Sequence, residues 1–376
     1  MSESTNYAGD EKYWSALATV TAIGPAAMLR LYDRFEDMSL AWSASRSELI
    51  EAGITRDRAA RVVEERRRID PDLEMERVES ANARLITFGS AAFPPLLREI
   101  PSPPAVLYVQ GGFTEQDLTR TIAMVGTRRI SPYGRQITSL LAADLAAAGL
   151  TVISGLAFGV DGAAHRAALD AGGRTVAVLG TGIDIVYPAK HRGLAEEVAK
   201  SGAVVTEFPP GTKPAGENFP QRNRIISGLS MATLVTEAPV KSGALITASF
   251  ANHQGRDVLA VPGDVFSVNS AGCNALIRDG AVMARNADDA LETINFAART
   301  IQLPFEVEPP PPMREDERQV AQVLSLKPIH RDEITRSCGL PASKVAALLT
   351  IMEMKGLAKD VGGGHYVQGR IHSNRA

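Results

Sequence analysis

The chain has 376 residues, 45% of them hydrophobic, and a net charge of −3, enough for about two or three domains with sizeable cores. An acidic balance excludes a globally basic nucleic-acid binder, so any anion site must be a local concentration of Lys and Arg. The two cysteines, Cys273 and Cys338, lie far apart with no Cys/His spacing suited to zinc, and no apolar run reaches transmembrane length. With no basic-then-apolar leader at the N-terminus, a soluble cytoplasmic protein with reduced thiols and no membrane attachment is expected.

Residues 1–70 read as a small helical domain. Tyr13, Trp14, Leu17 and Val20 recur at helical spacing, as do Leu29, Leu31, Tyr32 and Phe35. Glycine turns at Ile23-Gly24-Pro25 and Gly53-Ile54-Thr55 separate the helices, an arrangement similar to SAM and helix-hairpin-helix modules. Packing or docking is the preferred role here over DNA contact. Residues 71–120 are proline-rich and read as a linker with an edge hairpin, its strands near Arg84 to Phe88 and Val106 to Val109.

Over residues 121–300 the pattern becomes strand, glycine turn, helix, repeated. Thr121 to Val125 is an apolar strand ending in Gly126-Thr127-Arg128; Ser131 then caps a helix with Pro132 at its first position, stopped by Gly149. Further strands at Thr151, Thr175, Ala203, Met231, Val258 and Ala281 alternate with helices. Continuous apolar strands between helices predict a doubly wound, mostly parallel sheet covered on both faces, an α/β Rossmann-like fold. Residues 301–314 form a proline-rich linker, and residues 315–370 show three helices and a two-stranded wing, a winged-helix domain. Its third helix carries only Lys344 and Lys355 beside Glu353, so protein interaction or regulation weighs at least as much as DNA reading.

Ligands of open parallel sheets bind beyond the carboxyl ends of the strands. There the sequence places small-residue turns: Gly126-Thr127-Arg128, Ser154-Gly155 leading to Phe158, Gly180-Thr181-Gly182, and Ser242-Gly243. The segment from Glu207 to Ser230 reaches the same edge and is read as a loop holding Phe219, Arg222, Asn223 and Arg224. Arg128, Lys190, Arg222 and Arg224 are expected to converge there as phosphate contacts, with Phe219 stacking on a base. The alternative is a surface loop salt-bridged to Glu217 or Glu237, with the glycines serving only as short turns. Neither a complete G-x-G-x-x-G nor a P-loop is present, so no nucleotide cofactor is expected. His165, one turn after Asp161, reads as a hydrogen-bonded histidine rather than a base, and Glu207 and Glu237 as partners that position Arg222 or Arg224. No catalytic set and no metal ligand set emerges.

These residues carry a resemblance. Val125-Gly126-Thr127-Arg128, Ser154-Gly155-Leu156-Ala157, Phe219-Pro220 with Arg222-Asn223-Arg224, Ser242-Gly243-Ala244-Leu245-Ile246-Thr247 and Asn274-Ala275-Leu276-Ile277 resemble the DNA processing protein A family, DprA or Smf. The resemblance spans roughly Met124 to Ala284. It implies a non-enzymatic single-stranded DNA binder that forms a homodimer and delivers incoming DNA to the recombinase RecA during natural transformation. It also places dimer and partner contacts near Leu276 and Ile277. Ala244 stands where many relatives carry a hydroxyl residue. A nucleoside-monophosphate phosphoribohydrolase of comparable strand order is the alternative function, but its P-G-G-x-G-T-x-x-E stretch is missing. A purely structural scaffold would bind no polyanion.

Overall fold

The computed structural model describes residues 10–294, 313–325 and 327–369, which divide into two compact units, one either side of the gap at 295–312. The linker expected at 301–314 therefore lies almost wholly outside the described residues.

The larger unit is built on a nine-stranded sheet. Its strands are β1 (Arg84–Thr87), β2 (Val106–Gly111), β3 (Thr121–Val125), β4 (Thr151–Ser154), β5 (Thr175–Val178), β6 (Ala203–Thr206), β7 (Ala232–Val235), β8 (Asp257–Ala260) and β9 (Val282–Met283), in the order β1-β2-β6-β5-β4-β3-β7-β8-β9. Strands β3 to β9 pair in parallel, while β1 and β2 pair antiparallel to each other and β2 antiparallel to β6. This is the doubly wound, Rossmann-like α/β sheet that the alternating pattern predicts. From β3 the chain winds one way through β4, β5 and β6, then returns to lay β7 on the other side of β3. The order thus reverses between β3 and β7, and a crevice opens at the carboxyl ends of these two strands.

The side chains of β3 show how the sheet is covered. Ile122 and Met124 enter one core, with Leu141 and Leu145 of helix Pro132–Ala147 and Ala164 of helix Val160–Asp170. Ala123 and Val125 enter the opposite core, with Ile225 of helix Asn218–Gly228 and Ala248 of helix Gly243–His253. All five residues of β3 are buried, as a strand covered on both faces requires. Helix Pro132–Ala147 begins with the Ser131 hydroxyl accepting from the Gly134 amide at 3.0 Å, and ends ahead of Gly149, whose φ of +82° a residue with a Cβ rarely adopts.

Two expectations need correction. Residues 71–120 are not a linker: helix Pro71–Ser80, capped by Asp70, and helix Pro95–Arg98 belong to the core, where Phe93, Leu97 and Tyr108 are fully buried. The hairpin β1–β2 extends the main sheet through β6. The stretch read as a loop around Phe219 is the helix Asn218–Gly228. Pro220 falls in its first turn, where backbone amides have no intrahelical acceptor and proline removes nothing. At its far end Gly228 lets Leu97 and Ile100 approach closely; a Cβ there would lie 2.8 Å from Leu97.

Helices between Glu11 and Ser80 cover the sheet on the β2–β6–β5 side, and Trp14, Leu17 and Leu31 share one core with Val106, Tyr108 and Val204. In the smaller unit, helices Glu315–Val323, Arg331–Cys338 and Ala342–Met354 pack around Val320, Ile334, Val345 and Leu349. Strands β10 (Ile329–His330), β11 (Ala358–Gly362) and β12 (His365–Gln368) form a three-stranded sheet, one strand more than the expected wing. Among the described residues no helix is long and apolar enough to cross a membrane.

Candidate nucleic-acid interface

The crevice between β3 and β7 is assembled from glycine turns held by their neighbours. After β3, the Thr127 amide donates to the Glu237 carbonyl at 2.7 Å and the Val160 amide donates to the Thr127 carbonyl at 3.1 Å. Gly126 sits against both partners: a Cβ on it would lie 2.7 Å from the Glu237 carbonyl oxygen and closer still to the Val160 side chain. The turn is therefore rigid, and Arg128 and Arg129 extend from it into solvent. The Arg128 guanidinium lies 5.4 Å from the centroid of the Phe219 ring.

Buried carboxylates fill the places where backbone amides would otherwise hold an anion. Asp161 accepts from the amides of Gly155 at 3.1 Å and Ala157 at 3.4 Å. Burial raises its carboxyl above the usual range, opposed by the charge of Arg222 and by those two amides. Glu237 accepts from the Ser131 amide at 2.8 Å and the Ser131 hydroxyl at 2.5 Å, closing the N-terminus of helix Pro132–Ala147. Glu237 thus positions a helix, not an arginine.

Among the expected cations the structure draws a sharp division. Arg222 is buried beneath Gly155, donating to its carbonyl at 2.8 Å and to the Val178 carbonyl. Burial lowers its guanidinium to about 10, with the Asp161 charge acting against that fall, so it stays protonated at neutral pH. Arg224 is clamped by Glu207 through two bonds of 2.6 Å, as a positioning role for that glutamate requires. The convergence of four free cations is therefore corrected: Arg222 and Arg224 are committed to the scaffold. Arg128 and Lys190 remain exposed, joined by Arg129, which sequence reasoning passed over.

The remaining expected residues line the same edge. The Ser154 hydroxyl is buried and donates to the Met124 carbonyl at 2.6 Å. Gly180 lies under Phe219, 2.8 Å from the ring once a Cβ is added, so only glycine fits. Asn223 donates to the Gly243 carbonyl at 3.4 Å, and Ser242 caps helix Gly243–His253 through the Ala244 amide at 3.3 Å. Phe158 is exposed, Phe219 half-buried. His165 is fully buried with Nδ1 2.7 Å from the Thr175 hydroxyl, and burial depresses it to about 3, so it is neutral and structural. Leu276 and Ile277 are half-buried against the sheet, while Val265, Phe266 and Val268 on the preceding loop and Met283 on β9 are exposed.

A cavity of about 1260 Å³ lies elsewhere, between Val20, Met28 and the 207–221 crossover. Its lining sets Glu74, Asp184, Glu207 and Glu217 against the cation Arg77, the wrong charge balance for a polyanion. Among the described residues no group of three or more His, Cys, Asp or Glu is placed to hold a metal.

The family DNA recombination-mediator protein A matches residues 84–295, and the DprA winged helix domain matches residues 306–364. The chain belongs to the DprA family. Protein Smf of Escherichia coli is 33% identical over 369 residues, 95% of either chain, and Protein Smf of Synechocystis is 39% identical over 289 residues, 76% of this chain and 73% of its own. DNA processing protein A from Streptococcus pneumoniae superposes with a TM-score of 0.67 at 31% identity, covering 77% of this chain and 98% of its own. A structure describing the single-stranded DNA binding mode of DNA processing protein A from Helicobacter pylori gives 0.51 at 28% identity, over 57% of this chain and 97% of its own.

Proposed function

We propose that the chain binds single-stranded DNA along the carboxyl edge of its sheet, without enzymatic activity. In the same reading it acts as a homodimer that protects incoming DNA in the cytoplasm and loads RecA onto it during natural transformation. The observation that carries the reading is the set of exposed cations beyond the carboxyl ends of the parallel strands, Arg128 and Arg129 after β3 and Lys190 after β5, with Arg128 lying over the Phe219 ring. Membership of a family in which the Helicobacter pylori protein is described with single-stranded DNA supports it.

The three carboxylates nearest the glycine turns are already engaged. Glu207 is paired with Arg224, Glu237 closes a helix N-terminus, and Asp161 holds two amides. Glycosidic cleavage of a nucleoside monophosphate would need one of these carboxylates released. Incubation with AMP is expected to yield no adenine.

The deciding experiment is a salt titration of oligonucleotide binding by fluorescence anisotropy. Each phosphate contact adds roughly −0.7 to the log–log slope for single strands. Arg128→Ala should weaken binding and flatten the slope by about one contact, independent of oligonucleotide sequence, with thermal stability unchanged. A destabilised variant with an unaltered slope would make Arg128 a structural arginine and remove the main support for the reading.

A further inference from the structure

The aromatic rings on this edge differ in how much of them faces solvent. The Phe219 ring rests on Gly180 and has Arg128 over it, so its surface is largely taken. Tyr187, 46% exposed, meets Phe219 at 5.5 Å between centroids with the planes tilted by 40°. Phe158, 44% exposed, meets the His191 ring edge-on at 5.1 Å and 74°. An edge-on neighbour braces a ring without hiding both of its faces.

Each exposed ring thus has a brace, and each brace is itself fixed. His191 Nδ1 lies 2.8 Å from the Leu156 carbonyl oxygen, which can only accept, so Nδ1 carries the proton and the ring cannot turn freely. Gly162 provides the space beside it: a Cβ there would stand 2.7 Å from the His191 ring. Phe219 is held in the helix Asn218–Gly228. Exposed Lys190 precedes His191 on the short turn Ala189–His191.

We propose that the interface seats two separate bases of one strand, one on the Tyr187 ring and one on the Phe158 ring, with Lys190 on the backbone phosphates nearby. Phe219 and His191 act as positioning residues that hold these rings. The inference rests on the single-stranded DNA reading above and assigns the stacking that sequence reasoning gave to Phe219 to two other residues. Stacking takes any base and needs its face, so both seats favour single strands over duplex whatever the sequence.

The test measures oligothymidine affinity of the full chain by anisotropy, for Tyr187→Leu, Phe158→Leu and their combination. Leucine keeps most of the apolar bulk and removes the ring, and melting curves establish that each variant is folded. Loss of one stacked base is expected to weaken binding by about 5- to 100-fold, with the salt slope unchanged. Two independent seats require the double variant to lose the product of the single losses. Tyr187→Phe, which keeps the ring, should recover what Tyr187→Leu loses. If both leucine variants bind as the parent does while Arg128→Ala is weakened, the two seats are refuted and the DNA-binding reading stands. A double variant no worse than the weaker single variant refutes separate seats. A parent chain that binds no single strand refutes the underlying reading.

Discussion

Replacing Arg222 by leucine separates architecture from DNA contact. The guanidinium donates to the Gly155 and Val178 carbonyls at the ends of two neighbouring strands, and its charge offsets the buried Asp161 carboxylate. Leucine leaves two buried acceptors without a donor and a buried anion without its cation. Removing one partner of a buried charge pair costs about 3–5 kcal/mol. The orphaned carbonyls carry about 1–3 kcal/mol each, overlapping with the first cost because the carboxyl can respond by binding a proton. The expected loss is about 3–5 kcal/mol of unfolding free energy at neutral pH, read from urea titration. Its pH dependence follows from Asp161, whose carboxyl is already raised by burial and rises further without Arg222. A carboxyl with a folded value above its unfolded one destabilises the fold above that folded value, and the penalty is relieved as pH falls through it. Arg222→Leu should therefore regain part of its deficit on acidification, and Asp161→Asn in the same background should regain it at neutral pH. Because the Arg222 guanidinium is buried and committed to two backbone carbonyls, the salt slope of oligonucleotide binding should match the parent. A stable Arg222→Leu with a slope flatter by roughly 0.7 would refute this assignment and return Arg222 to the ligand.

Arg224→Ala should cost about 3 kcal/mol by stranding Glu207, and adding Glu207→Ala should restore part of it in a double-mutant cycle; a lone change in oligonucleotide affinity would contradict the pairing. His165, at about 3 when folded, binds no proton at pH 5, whereas the unfolded histidine does; stability should fall by about 2 kcal/mol between neutral pH and pH 5, and His165→Asn should remove that share. An isologous dimer through the region of Leu276, Ile277 and Met283 should appear in light scattering at tens of micromolar, and Ile277→Arg should dissociate it; a parent monomer at that concentration ends the idea.

Where local rules decide, the sequence is a sufficient guide. The apolar run of β3 and the Ser131-Pro132 start and Gly149 stop of the following helix are all read from neighbours within a few residues. The crevice was legible too, since small-residue turns after successive parallel strands can only gather on one edge. The fate of the arginines was not. Arg222 and Arg224 look alike in a list of residues, yet the first binds carbonyls 67 and 44 positions away and the second a glutamate 17 positions away. Reading Asn218–Gly228 as a loop hid the helical turn that points these side chains in different directions. Proline density likewise masked the helix Pro71–Ser80, although Asp70 before Pro71 is a helix-start signal in its own right.

The internal carboxylates bear on what kind of ligand the edge suits. In a nucleotide-binding Rossmann fold, turn amides and a helix N-terminus lie open and grip one pyrophosphate. Here Asp161 occupies the amides after β4, Glu237 closes the helix after β3, and Ser242 caps the helix after β7. A free nucleotide therefore loses the contacts that would repay fixing it in place. What remains is side-chain charge on exposed stems together with open aromatic faces. Such groups bind phosphates and bases wherever a strand happens to place them, and their strength comes from many weak contacts along one chain. Filling the amide sites from within is thus what the proposed single-strand reading requires: it closes the pocket to a small anion and leaves side-chain contacts suited to a polymer.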